Sequence, residues 1–203
     1  MEVYLDWDPI FCLRSFQIRP IFIINELSQG NSDGNQFINS DQHDYCTIAI
    51  NPIINEGIVK IEIIYENTGI CDKIVGIADS SCSFATGKGP SANRNDNKTI
   101  RYWNDGCLNH ITYGTKRNQS YVDGERIGIE VDMTKVPRRV TFFINDVEQP
   151  NYVVGIPSEI RFWAYTNKRS SSFIINKFQR LIQSTAKGVA GSKALQWGKE
   201  WWY

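Results

Sequence analysis

GERIGIEVDMTKVPRRVTFFIN, residues 124–145, reads as two β-strands joined by a short polar loop. Ile127, Ile129 and Val131 alternate with Gly128, Glu130 and Asp132, the period of a strand with one buried face. Val140, Phe142 and Ile144 repeat that period, and Phe143 adds apolar character to the second strand's other face. Residues 134–138, containing Pro137, supply the turn.

The same pattern recurs outward from this pair. In the stretch IVKIEIIYEN, residues 58–67, Val59, Ile61, Ile63 and Tyr65 share one fully apolar face. Burying it contributes about 1.5–3 kcal/mol per large side chain, so this strand is expected to be a main part of the core. Further strands are predicted at 21–25, 46–50, 74–78, 110–113, 159–165 and 172–175, with turns at Asn31 to Gly34 and at Asn67-Thr68-Gly69. Many short strands separated by Gly, Asn, Asp and Ser clusters point to an all-β sandwich. The longest irregular stretch, DSSCSFATGKGPSANRNDNKT, covers residues 79–99; a connection of that length is functional or disordered. Beyond Phe178 the alternation stops, and a short helix is expected around 177–187 before an aromatic tail, QWGKEWWY, residues 196–203.

The order of these motifs resembles the SPRY domain family. Gly124-Glu125-Arg126-Ile127-Gly128-Ile129, then Asp132, then Phe142-Phe143-Ile144-Asn145-Asp146 is similar to its central pair of strands. Asn51 to Gly57 with the strand that follows, Ile74-Val75-Gly76-Ile77-Ala78, and IRFWAYT after Gly155-Ile156-Pro157 are similar to its flanking motifs. The similarity covers roughly residues 20–181. The turn at Asn145-Asp146 departs from the family's Asn-Gly, and Trp163-Ala164-Tyr165 replaces a closing W-G signature. The resemblance implies a bent, antiparallel two-sheet β-sandwich of the concanavalin-like type, with residues 1–19 packing on it and 182–203 as a C-terminal aromatic tail. It further implies a non-catalytic module whose edge loops bind a short segment of a partner protein, an adaptor without cofactor. By that resemblance the loop from Asp79 and the segment from Trp163 to Asn167 carry the contacts. Arg94, Tyr113, Tyr121, Trp163 and Tyr165 are the candidate contact residues, with Trp201 and Trp202 as anchors if the tail docks a partner.

Composition narrows the function classes. With 203 residues the chain suits one domain. Its 22 basic and 22 acidic residues balance, so no broad nucleic-acid surface is expected. The acidic start MEVYLDWDP is not a targeting segment, and Arg14, Arg19 and Pro20 interrupt the apolar run 10–24, so no membrane span is expected and the default compartment is the cytoplasm. Cys12, Cys46, Cys71, Cys82 and Cys107 are an odd number without clustered spacing, which fits free thiols.

Other chemistries find weaker support. Glu130-Val131-Asp132-Met133-Thr134 supplies two of the three carboxylates of a sandwich glycosidase strand and lacks the third. His43/Cys46 and Cys107/His110 have zinc-like spacing, but on strands residues three apart face opposite ways, and no metal is expected. No nucleophile elbow or phosphate loop is present. Two alternatives stay open: a structural subunit docking through its tail, and a lectin-like module using Trp103-Asn104-Asp105.

Overall fold

The computed structural model describes residues 15–42 and 45–201, with Tyr113 described for its backbone alone. His43, Trp202, Tyr203 and most of the segment 1–19 therefore lie outside the described residues. The strands in chain order are β1 (Phe16–Gln17), β2 (Ile21–Ile23), β3 (Gly30–Asp33), β4 (Gln36–Asn39), β5 (Cys46–Ile54), β6 (Ile58–Glu66) and β7 (Lys73–Asp79). They continue as β8 (Thr99–Trp103), β9 (Cys107–His110), β10 (Thr112–Lys116), β11 (Ile127–Asp132) and β12 (Arg139–Ile144). The last are β13 (Val147–Glu148), β14 (Asn151–Val154), β15 (Ile160–Thr166), β16 (Ser172–Leu181) and β17 (Lys193–Gln196).

Two sheets pack face to face. The first runs β17-β14-β12-β11-β6-β16-β4-β3, with β1 on β16 and β13 on β12; the second runs β10-β9-β8-β7-β15-β5-β2. Pairing is antiparallel except for β17, which lies parallel to β14. Ile127, Ile129 and Val131 stand opposite Ile63, Ile61 and Val59, and all six are fully buried. From the second sheet, Ile48, Ile50, Val75, Ile77, Ile100, Tyr102, Phe162 and Ala164 meet them in one core. The alternation in the sequence thus places the apolar face of each central strand inward.

Several features differ from the sequence expectation. The predicted strand at 110–113 is two strands, β9 and β10, folded at Ile111, which takes a positive φ of 60°. The predicted turn 31–34 is a hairpin, β3 to β4, whose tip is at Gly34 and Asn35. The helix expected at 177–187 is absent: β16 continues to Leu181, pairing with β6 past a register shift between Ile175 and Lys177. Strand pairing on both flanks of β16, unreadable from local composition, overrides the helix-forming residues there. Asn145 and Asp146 have φ of 49° and 69°, so this pair meets the demand of a type I′ turn that the family's Asn-Gly meets.

The outer face of the first sheet is covered as well. Residues 182–188 cross it, and Glu130, 2% exposed, accepts hydrogen bonds from Ser184 Oγ (2.5 Å), Thr185 N (3.1 Å) and Thr185 Oγ1. Glu148 receives the amides of Lys187 (2.6 Å) and Gly188 (3.0 Å). The chain then adds β17 to the sheet edge. Trp201 buries itself to 4% exposure against His110, its indole N–H donating to the Gln196 carbonyl at 2.9 Å.

Candidate functional site

The outer face of the second sheet carries two rows of side chains. Ala49, Trp163, Gly76, Arg101 and Asn109 are register partners across β5, β15, β7, β8 and β9; Thr47, Tyr165, Ile74 and Trp103 form the next row. Gly76 is required where it stands, because a Cβ there would run into the Ile100 carbonyl and come within 2.8 Å of Trp163 Cζ2. The indole of Trp163 therefore lies over the strand and creates an apolar platform.

The long connection 79–99 folds onto that platform. Phe84 packs on Trp163 with ring centroids 5.6 Å apart, and Cys82 joins them in a second, smaller hydrophobic cluster. Side chains from the sheet and the flanking segment hold the loop backbone. Thr47 Oγ1 donates to the Lys88 carbonyl (3.0 Å), Asn25 Nδ2 to the Phe84 carbonyl (2.7 Å) and Arg161 to the Ser80 carbonyl. Within the loop, Asn95 Nδ2 donates to the Ser83 carbonyl (2.8 Å). A long polar loop with its backbone tied at this many points is preformed.

Between this loop and the β9–β10 hairpin lies a groove. Its larger cavity, about 530 Å³, is lined by Ser91, Arg94 and Asp96 from the loop, Arg101 and Trp103 from β8, and Asn109, Ile111 and Thr112 from the hairpin. A second cavity of about 310 Å³ shares Ser91 and Trp103 with the first and adds Tyr45, Pro90 and Tyr165. The rim is strained. Asn93, Arg94 and Ile111 have φ of 58°, 63° and 60°, and an isoleucine in the left-handed region is sterically unfavourable. The Ile111 amide donates to the Asp96 carbonyl at 3.0 Å, which ties the hairpin turn to the loop. Such strain concentrates at functional sites.

The structure brings some expected contact residues together and separates others. Arg94 is exposed on the groove's rim, and Tyr165 lines its smaller cavity although only 5% of it is exposed. Tyr113 lies in β10, at the far edge of the sheet from Tyr165, and its side chain is outside the described part. Tyr121 is not a surface residue: it is 1% exposed, and its hydroxyl donates to the Tyr102 carbonyl at 2.7 Å. Trp163, fully buried under the loop, is likewise a platform and not a contact. Trp201 packs on its own domain; Trp202 lies outside the described residues. Trp103, offered from the sequence as part of a sugar platform, completes the groove with Pro90 and Arg101, which are not among the expected protein contacts. The Arg101-x-Trp103 alternation was the available signal, since it sets both on one strand face.

The other candidate constellations resolve differently. His110 is fully buried, and its two ring nitrogens are both engaged. Nε2 accepts from the Gly198 amide (2.9 Å), so Nδ1 carries the proton and donates to the Thr99 carbonyl (2.9 Å). Cys107 turns to the other face, its Sγ 2.9 Å from Asn109 Oδ1, so this pair does not converge on a metal; His43 of the second pair is outside the described residues. Burial pushes the Cys46 thiol up to about 12 and that of Cys82 to about 11, which leaves both unreactive. Glu130 secures the tail, and Asp132 accepts from the Thr134 amide at 3.0 Å, shaping the turn after β11. Of the proposed sugar platform, Asn104 Oδ1 faces the Lys73 amide (3.4 Å) and Asp105 pairs with Lys116 (3.1 Å).

No family model and no curated protein matches the chain. Solved structures do. The SPRY domain of human HERC1 superposes with a TM-score of 0.56 at 14% identity, over 75% of this chain and 92% of that one. Stonustoxin superposes with a TM-score of 0.55 at 9% identity, over 80% of this chain and 27% of that one. The fold is therefore SPRY-like, a bent two-sheet sandwich. Among the described residues no helix is long and apolar enough to cross a membrane.

Proposed function

We propose that the chain is a non-catalytic interaction module that binds a short segment of a partner protein in the groove between the 79–99 loop and the β9–β10 hairpin. The carrying observation is the groove itself. Two adjoining cavities sit on a rigid sheet face, walled by a loop whose backbone is already tied down, so little ordering is needed on binding. Aromatic and guanidinium groups converge in it (Trp103, Tyr165, Arg94, Arg101), the residue types that dominate protein-binding energetics. The SPRY-like fold supports the same reading, as an interaction domain. Glu130, Cys46 and His110, the groups that suggested covalent or metal chemistry, are committed to structural roles, so binding and not catalysis is the function proposed.

A photo-crosslinking residue placed at Ser91 or Arg94 tests this in cells of the source organism. One partner, labelled in the same peptide from both positions, is expected. The exposed positions Ile70 and Val136, which lie outside the groove, serve as controls. Equal labelling of that peptide from the control positions, or none from the groove, refutes the proposal.

A further inference from the structure

The larger cavity has an unbalanced charge. Arg101 is 4% exposed, yet among the described residues no carboxylate lies within ion-pair distance of its guanidinium. Its protein partners are neutral: Nη1 donates to Thr99 Oγ1 at 2.9 Å and to the Asp96 backbone carbonyl at 3.2 Å. Burial pulls its pKa down to about 10, and the carboxylate of Asp96 opposes this from a distance. A buried guanidinium with two of its five donors' worth of bonds made to neutral groups is an expensive arrangement unless something else answers it. Arg94 adds a second positive charge on the rim of the same cavity.

Two more polar atoms on that wall lack partners. Trp103 Nε1 and Thr112 Oγ1 are both buried without a hydrogen bond among the described residues. Buried polar groups are nearly always satisfied, so two beside a buried cation in one cavity mark a place where a ligand's acceptors belong. The formal charges of Arg94, Arg101 and Asp96 leave one net positive charge, which matches a monoanion better than a dianion.

Resting on the groove reading above, we propose that the larger cavity takes the carboxylate of an Asp or Glu side chain of the partner segment, with a neighbouring apolar residue of that segment seated against Tyr165, Pro90 and Trp103. The two cavities share Ser91 and Trp103, so one extended segment spans both. Arg94, being exposed, guides the acidic residue in; Arg101 fixes it by charge-assisted hydrogen bonds.

Selection of random peptides displayed on phage against the full chain, Arg94→Gln and Arg101→Gln provides the test. The expected result is enrichment of Asp or Glu next to an apolar residue, and binding about tenfold weaker for Arg101→Gln, with a smaller loss for Arg94→Gln. Arg94→Gln changes an exposed side chain, so it stays informative if Arg101→Gln fails to fold. Peptides enriched without acidic preference, or an acidic preference that Arg94→Gln leaves unchanged, overturn the inference while leaving the groove intact. If no peptide is enriched, the groove reading fails and this inference with it. Competition with acetate and inorganic phosphate checks the anion: displacement of the selected peptide by phosphate far below the acetate concentration needed overturns the carboxylate assignment.

Discussion

Replacing Trp201 by alanine asks whether the aromatic tail belongs to the domain or to a partner. Trp201 is 96% buried in the folded chain, being 4% exposed. A tryptophan buries roughly 150–250 Å². At about 25 cal/mol per Å² that is roughly 4–6 kcal/mol, an upper value because the chain end relaxes around the loss. The hydrogen bond from its indole to the Gln196 carbonyl adds about 1 kcal/mol. A net cost of about 3 kcal/mol is expected, at the low end for aromatic-to-alanine changes in cores. For a domain of this size each kcal/mol lowers Tm by about 2–4 °C, so scanning calorimetry is expected to show a drop of about 6–12 °C. Hydrogen exchange supplies the second readout: amides of Lys193–Gln196, held by pairing with Asn151–Val154, are expected to lose protection first. An unchanged Tm together with lost partner binding would refute the packing account and restore Trp201 as a docking anchor.

Two further outcomes are expected. His110 is held neutral by burial first, with the Thr99 hydrogen bond opposing, and Arg101 lowering and Asp96 raising its pKa; the net direction is below the ordinary 6.5. The unfolded imidazole therefore binds a proton that the native one refuses, and stability present above pH 6.5 falls as pH drops through 6.5 toward the depressed native value. Urea midpoints across that window are expected to decline in the native sequence and to flatten in His110→Gln; equal slopes would exclude His110 as the cause. Gly76→Ala forces a methyl into the Ile100 carbonyl and against Trp163, so a loss of about 3 kcal/mol or failure to fold is expected; a thermal midpoint within about 2 °C of the parent would show that Trp163 does not lie over this strand.

The inward faces of the sheets were legible because they depend on period two alone. Val59, Ile61, Ile63 and Tyr65 needed only alternation to be placed, and all are fully buried. Coverage of the outward faces was not legible, because it depends on segments distant in sequence. Glu130 stands in the polar phase of its strand's alternation and is yet 2% exposed, since residues 182–188 return to lie over the sheet and donate to it. The same cause hid the candidate site. Tyr121 and Trp163 have the chemistry of contact residues, yet only the fold shows that one hydrogen-bonds inside the core and the other supports a loop. Trp103 carries equal chemistry and stands at the edge of that loop, where it lines both cavities.

The two outer faces differ in a way that favours the second sheet for the proposed recognition. On the first sheet the tail brings Ser184, Thr185 and the amides of Lys187 and Gly188 to Glu130 and Glu148, so the acidic groups there find their donors within the chain. On the second sheet the covering loop touches the β9–β10 hairpin at the Asp96 carbonyl and leaves a groove between the two. Arg101 lies in the same register row as Trp163, but beyond the loop's packed side chains, and its charge meets only neutral acceptors at hydrogen-bonding distance. On the first sheet the tail thus answers Glu130 and Glu148, while the second leaves a cation and, among the described residues, two polar atoms without partners beside a cavity. Residual polarity of that kind is costly for stability and useful for specificity, because a segment lacking a matching acceptor leaves those donors unpaired. In the proposed binding mode it is that asymmetry, more than the aromatic content of the groove, that distinguishes an acidic partner segment from an apolar peptide of equal size.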